Sequence, residues 1–165
     1  MRKLLLLPLA LSTILAAGCA GIDPATVSSV DLQFSNPSSD CNVNLAQMIT
    51  ATEFKRTIDT LGTVLTITQT PGPTGVTSKV VKTVVTDATP GTEYALVSGG
   101  TTYVEVSEVT SLGTRVWRST GGKLRVEAND AAKTNETLSN IRMEPYISTV
   151  AIGTFDLNGS IIVRF

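Results

Sequence analysis

The sequence contains no histidine and only two cysteines, Cys19 and Cys41, among its 165 residues. Without an imidazole there is no base for a Ser–His–Asp triad and no His-ligated zinc, and so few thiols cannot build a thiolate metal site. No glycine-rich loop runs from a strand into a helix to cradle a phosphate. Aromatic residues make up 5% of the chain, which is poor material for the aromatic girdles of a transmembrane barrel. No polybasic run is present, and no internal repeat. These absences leave no catalytic residue, cofactor or metal site to name, and the chain is expected not to be an enzyme.

What is present begins at the N-terminus. Met1-Arg2-Lys3 supplies two cations, and Leu4 to Ala17 follows without a charge. This is the layout of a secretory signal, a basic region followed by an apolar one and then small residues. The 14 uncharged residues are interrupted by Pro8 and fall short of the roughly 20 that span a bilayer as a helix. Ala17-Gly18-Cys19 then resembles the lipobox of bacterial lipoproteins, in which the cysteine is acylated and becomes the new N-terminus. Ala16 stands where that family prefers leucine, with Leu15 one place too early. The resemblance implies a signal peptide over 1–18, a lipid attached to Cys19, and a tether over 19–28. Ala20 is not the aspartate that resembles an inner-membrane retention signal, so the outer membrane is favoured. Ordinary signal peptidase cleavage is the alternative, since Gly18-Cys19-Ala20 also offers small residues at both recognition positions, and it would leave a secreted soluble domain.

With Cys19 acylated, Cys41 has no intramolecular partner and is expected to pack quietly. If Cys19 is retained unmodified, the two could close a loop worth about 3 kcal/mol by chain-entropy arithmetic. The chain from Cys19 has 147 residues, one domain's worth. Its 11 cations against 14 carboxylates give a net charge of −3, which argues against nucleic acid or an anionic membrane surface as a partner. Residues 20–28 reach at most ~30 Å at about 3.3 Å per residue, so the domain over 29–165 would ride close to its membrane.

That domain reads as sheet. Threonine and valine, stiff at the β-carbon, are in excess. "SVDLQFS" puts Val30, Leu32 and Phe34 on one face, and "TVLTITQT" and "SKVVKTVVTD" are two more strands separated by a "PGPTG" loop. Gly99-Gly100 between "TEYALVS" and "TTYVEVSEV" predicts a hairpin that places Ala95 and Val97 on one face with Val104 and Val106. Gly121-Gly122 predicts a second hairpin that places Trp117 with Leu124 and Val126, as core rather than as a ligand platform. Asn158-Gly159 is a hairpin dipeptide, yet a turn there would throw Ile161, Val163 and Phe165 to the face opposite Phe155 and Leu157. Residues 155–165 are therefore read as one long strand with Gly159 at a bulge or close backbone approach. Residues 50–61 are ambiguous. Thr50 and Glu53 suit a capping box and Phe54, Ile58 and Leu61 a helical stripe, but the surroundings favour a strand. The expectation is an all-β chain, an antiparallel sandwich of roughly eight to ten strands, with a β-barrel as alternative.

Several side chains invite a functional reading and have a plainer one. Arg118, Lys123 and Arg125 share an outer face with Glu127, and read as a solvated strand face rather than a basic patch. Glu105 and Glu108, three apart on a strand, point to opposite sides, poor geometry for an acid/base pair; both are expected to be solvated. "DLNG" over 156–159 lacks the further oxygen ligands of a calcium loop. The sequons at Asn135 and Asn158 mean little in a bacterial lipoprotein.

From about residue 63, "LTITQT", "PGTEYALVS", "TTYVEVSE", "WRSTGGKLRV" and "GTFDLNGSI" resemble a loose class of uncharacterised exported bacterial β-sandwich proteins. Glu93 departs from the class pattern. The resemblance implies a fold and an export route but no activity and no site residues. The functional expectation is a lipoprotein of the cell envelope, held to the membrane through Cys19, that binds or scaffolds an unknown protein or glycan and no nucleic acid. Its binding loops would sit at one end of the sandwich, such as 71–77 and 129–135. Alternatives are a secreted domain, an unidentified envelope hydrolase, or a small outer-membrane barrel suggested by the terminal Phe165.

Overall fold

A computed structural model describes residues 27–48, 51, 53–60, 62–146 and 150–165. The described residues contain no helix. Nine strands follow in order: β1 (Ser29–Ser35), β2 (Glu53–Asp59), β3 (Gly62–Gln69), β4 (Ser78–Val85), β5 (Glu93–Ala95), β6 (Tyr103–Thr110), β7 (Gly113–Asn129), β8 (Lys133–Pro145) and β9 (Phe155–Arg164). All pairings are antiparallel, and the order across the sheet is β1-β9-β8-β7-β6-β4-β3-β2, with β5 added on β7. The chain is thus all-β, as its composition and period-2 patterns require. Residues 53–59 take the strand form, and Phe155–Arg164 runs straight through Asn158-Gly159.

The sheet curls on itself as a half-barrel, so strands far apart in its order face each other across one core. Lys79 of β4 lies 3.5 Å from the ring centroid of Phe34 on β1. Trp117 is fully buried, as expected, and meets Phe155 edge-on at 5.6 Å. Its indole N–H donates to the Gly153 carbonyl at 3.1 Å, so the ring's polar edge is satisfied inside the core.

The curl has a local cause. In β7 the buried side chains are Trp117 and Ser119, then Leu124 and Val126, so the inward parity changes between them. The register shifts from Ser119 through Gly121 to Lys123. In β8 the parity changes likewise between Leu138 and Ile141, across Asn140 at φ +50°. Gly122, at φ +99°, lies so close to β8 that a Cβ would stand 2.4 Å from the Asn140 carbonyl oxygen. Next in the row is Gly159 of β9, paired with both Leu138 and Leu32. A Cβ there would meet the Asp31 oxygen at 1.9 Å, the close approach its sequence context predicts. Bulges and small residues at one level of three adjacent strands crease the sheet and increase its twist.

Two expected hairpins are corrected. Gly121-Gly122 is not a turn but part of this crease, and the chain runs on as a 17-residue strand. Trp117 still shares the core with Leu124 and Val126, because the bulge resets the parity that an unbroken strand would have kept wrong. Gly99-Gly100 does form a turn, with the Gly100 N–H donating to the Val97 carbonyl, but β5 does not pair with β6. β6 covers β7 only from Gly113 to Arg118, and β5 takes the edge beyond, at Lys123–Arg125. Ala95 and Val97 consequently point outward while Leu96 is buried.

Candidate functional site

Each sequence candidate has a definite place, except Cys19, which lies outside the described residues. Cys41 is a free thiol, partly buried against the core; burial, aided by nearby Asp40 and Glu108, raises its pKa. Asp156 of the "DLNG" segment pairs with Arg142 at 3.0 Å, and Asn158 accepts the Asn140 N–H, so both are committed within the sheet. Among the described residues, no three His, Cys, Asp or Glu side chains are grouped to hold a metal ion.

The two loops expected at one end lie at opposite ends. Residues 71–77 belong with the segments around 42–46, 109–113 and 150–154: Asn44 donates to the Thr74 carbonyl, the Thr77 N–H to Val109, and Asn42 exchanges hydrogen bonds with Val150 and Ile152. Residues 130–132 lie at the other pole, where the chain arrives. There the Ser28 hydroxyl accepts the Arg164 N–H, the Phe165 N–H donates to Ala132, and Arg56 donates to the carbonyls of Asp130 and Ala131. The reason is topological. Both join neighbouring antiparallel strands, but β3 ends where β7 begins, and successive antiparallel strands alternate poles.

Glu105 and Glu108 do point to opposite sides, but Glu108 is not solvated: it is fully buried. Its carboxylate lies 3.5 Å from Lys79 Nζ, also fully buried, and 3.7 Å from Arg115. It accepts the Asn44 N–H at 3.0 Å, while Lys79 donates to the Asn44 carbonyl at 2.6 Å and Arg115 to that of Asn42 at 2.6 Å. The cluster therefore pins the 42–46 segment over the distal mouth of the half-barrel. Burial dominates both partners, raising the Glu108 pKa and lowering that of Lys79 to about 8 against the opposing pull of their mutual attraction.

A second buried carboxylate, Glu136 of β8, has no such partners. Both oxygens are buried, and the hydroxyl of Thr83 on β4, buried as well, is the one side chain that acts on them among the described residues. Desolvation raises its pKa to about 7, with only Thr83 pulling the other way.

On the outer face, Arg118, Lys123 and Arg125 stand in closed pairs rather than as a basic patch. Arg118 meets Glu105 at 3.0 Å, Lys123 meets Glu93 at 2.6 Å, and Arg125 meets Glu127 at 3.0 Å. Arg118 is further held between two rings, 3.9 Å from the centroid of Tyr103 and 3.7 Å from that of Tyr146. Around this stack the connection from β5 to β6 borders three clefts, of about 360, 120 and 250 Å³. The tyrosines escaped attention in the sequence because their partner lies on another strand, and only the β6–β7 register brings Glu105 opposite Arg118. Comparison with protein-family models, with curated proteins and with solved structures finds no match.

Proposed function

We propose that the protein is an exported bacterial lipoprotein of the cell envelope, held to the membrane, in preference the outer one, by an acyl group on Cys19, and that its β-domain binds or scaffolds a protein or glycan rather than catalysing a reaction. The observation that carries this reading is the order of the first residues: two cations, 14 uncharged residues, and Ala17-Gly18-Cys19 ten positions before the first strand begins at Ser29. The span between them suits a short tether.

The fold argues against the barrel alternative. A membrane barrel needs an apolar band facing lipid, whereas Lys82, Glu105, Arg118 and Glu144 sit opposite one another in one row across β4, β6, β7 and β8, and the apolar side chains fill the inside. The hydrolase alternative gains nothing from the carboxylate pair the sequence singles out: Glu105 and Glu108 lie on opposite faces, and Glu108 is sealed in an ion pair.

The intact mass of the mature protein taken from membranes, beside that of a Cys19→Ser chain, tests the reading. A mass beginning at Cys19 plus acyl chains is expected, with the variant released in folded, soluble form. An unmodified mass beginning at Gly21, from protein in the soluble fraction, would replace the anchor with secretion.

A further inference from the structure

Three large apolar side chains stand in the open at the pole where the chain arrives: Val27, Ile58 and Phe165 are 47%, 71% and 52% exposed. The fold brings them to one rim. Val27 precedes Ser28, whose hydroxyl accepts the Arg164 N–H, and Phe165 follows Arg164 and donates its own N–H to Ala132. Arg56 of β2 lies 4.1 Å from the centroid of the Phe165 ring and donates to the Asp130 and Ala131 carbonyls, and Ile58 is the next residue on the same face of β2. Cations frame this rim. Lys133 and Arg164 stand directly opposite each other where β8 begins and β9 ends, like charges whose repulsion an anion would relieve. Of the carboxylates beside them, Asp130 accepts the backbone N–H groups of Ala132 and Lys133, and Asp59 ends β2.

We propose that this pole is a membrane-contact surface, which lies on the phospholipid interface with Val27, Ile58 and Phe165 among the headgroups and Lys133 and Arg164 on lipid phosphates. The proposal rests on the acyl anchor at Cys19 given above. Residues 20–28 reach at most ~30 Å and join the domain at this rim, so the anchor brings this surface to the bilayer before any other. An apolar patch edged by lysine and arginine is the composition that settles at an interface, the long cationic stems lying along apolar surface while their heads stay at the phosphates. Phosphate is common to neutral and acidic phospholipids, so the contact needs no acidic lipid and suits a chain of net charge −3. The opposite pole also exposes apolar side chains, Leu112 and Ile152 among them, but the tether does not join it, and its Arg115 is turned to Glu108. Three side chains add to an acyl anchor without replacing it, so a chain lacking Cys19 still leaves the membrane.

The test takes the protein purified from membranes, its mass checked first for the acyl group, into phosphatidylcholine nanodiscs that carry a gadolinium-chelate lipid, and reads the paramagnetic broadening of its amide NMR signals. The seven residues of β1 set the poles ~20 Å apart at about 3.3 Å per residue, and the broadening falls with the sixth power of distance. It should therefore be at least tenfold stronger at residues 27–28, 56–58, 131–133 and 164–165 than at 74–76 and 111–113. Ile58→Ser with Phe165→Ser should cut that contrast at least threefold with the other chemical shifts unchanged, and Leu112→Ser should leave it as it is. Equal broadening at both poles, stronger broadening at 111–113, or a contrast that the double variant keeps in full would overturn the proposal. The mass separates the two failures: an unacylated mature chain sinks the anchor and this contact with it, whereas an acylated chain without the contrast sinks the contact alone.

Discussion

Glu136 should make the domain lose stability as pH rises from about 4.5 to about 7. An exposed glutamate has a pKa of 4.5, and in the folded chain desolvation raises that of Glu136 to about 7. Between those values the folded state keeps a proton that the unfolded state has released. Stability therefore falls with rising pH across the window from 4.5 to about 7 and levels off above it. At about 1.36 kcal/mol per pK unit the full loss is about 3 kcal/mol. The perturbation that isolates it is Glu136→Gln, which keeps the volume and removes the charge. Urea unfolding of both chains at pH 4, 5, 6, 7 and 8 should give a stability difference that grows in favour of the glutamine chain by about 3 kcal/mol from the acid to the alkaline end, or about 10 °C in Tm for a domain of this size. Lys79 and Glu108, which also have shifted pKa values, are present in both chains and cancel in the difference. Parallel curves for the two chains would refute the reasoning, since they would mean that Glu136 titrates alike folded and unfolded and is not held in a dry core.

Lys79→Met should cost about 3–5 kcal/mol, because it strands the Glu108 charge in the core, and Lys79→Met/Glu108→Leu should recover most of that in the same urea assay. Gly159→Ala should cost more than about 2 kcal/mol, since a Cβ at φ +139° would stand 1.9 Å from the Asp31 oxygen and β1 would have to leave β9; hydrogen exchange should speed up in residues 30–34 first. Cys41, its thiol pushed upward by burial, should react with iodoacetamide at pH 8 more slowly than a free cysteine does.

The strands were legible because alternation is a local signal. Val30, Leu32 and Phe34 all point inward, and so do Phe155, Leu157, Ile161 and Val163. That same counting rejected a turn at Asn158-Gly159. The pairing of strands was not legible to the same degree. A glycine pair offers both a two-residue turn and a bulge, and local sequence does not tell them apart. At Gly121-Gly122 the deciding factor is Asn140, eighteen positions away on β8, whose carbonyl approaches too near for any side chain. At Gly99-Gly100 it is the length of β7, which leaves an open edge for β5 to cover. Both are tertiary facts, and the turn rule cannot see either.

The buried charges were legible in principle from the period of their strands, although the charge of Glu108 led to the expectation of a solvated carboxylate. Val104, Val106 and Glu108 fall on one face, as do Lys79, Val81, Thr83 and Val85, and again Thr134, Glu136 and Leu138. In each row the alternation says inside while the side chain's charge says outside, and in each the alternation holds, because turning one residue outward on a strand would turn its apolar neighbours out with it. The consequences differ with what the fold brings opposite. Glu108 meets Lys79, Arg115 and a backbone N–H, so its burial fastens the distal loop to the sheet. Glu136 meets Thr83 alone, so its burial is a standing cost that only a bound proton relieves. Removing either carboxylate should therefore act in opposite directions at pH 8, with Glu108→Gln destabilising and Glu136→Gln stabilising, although both are fully buried glutamates on the inner face of the same sheet.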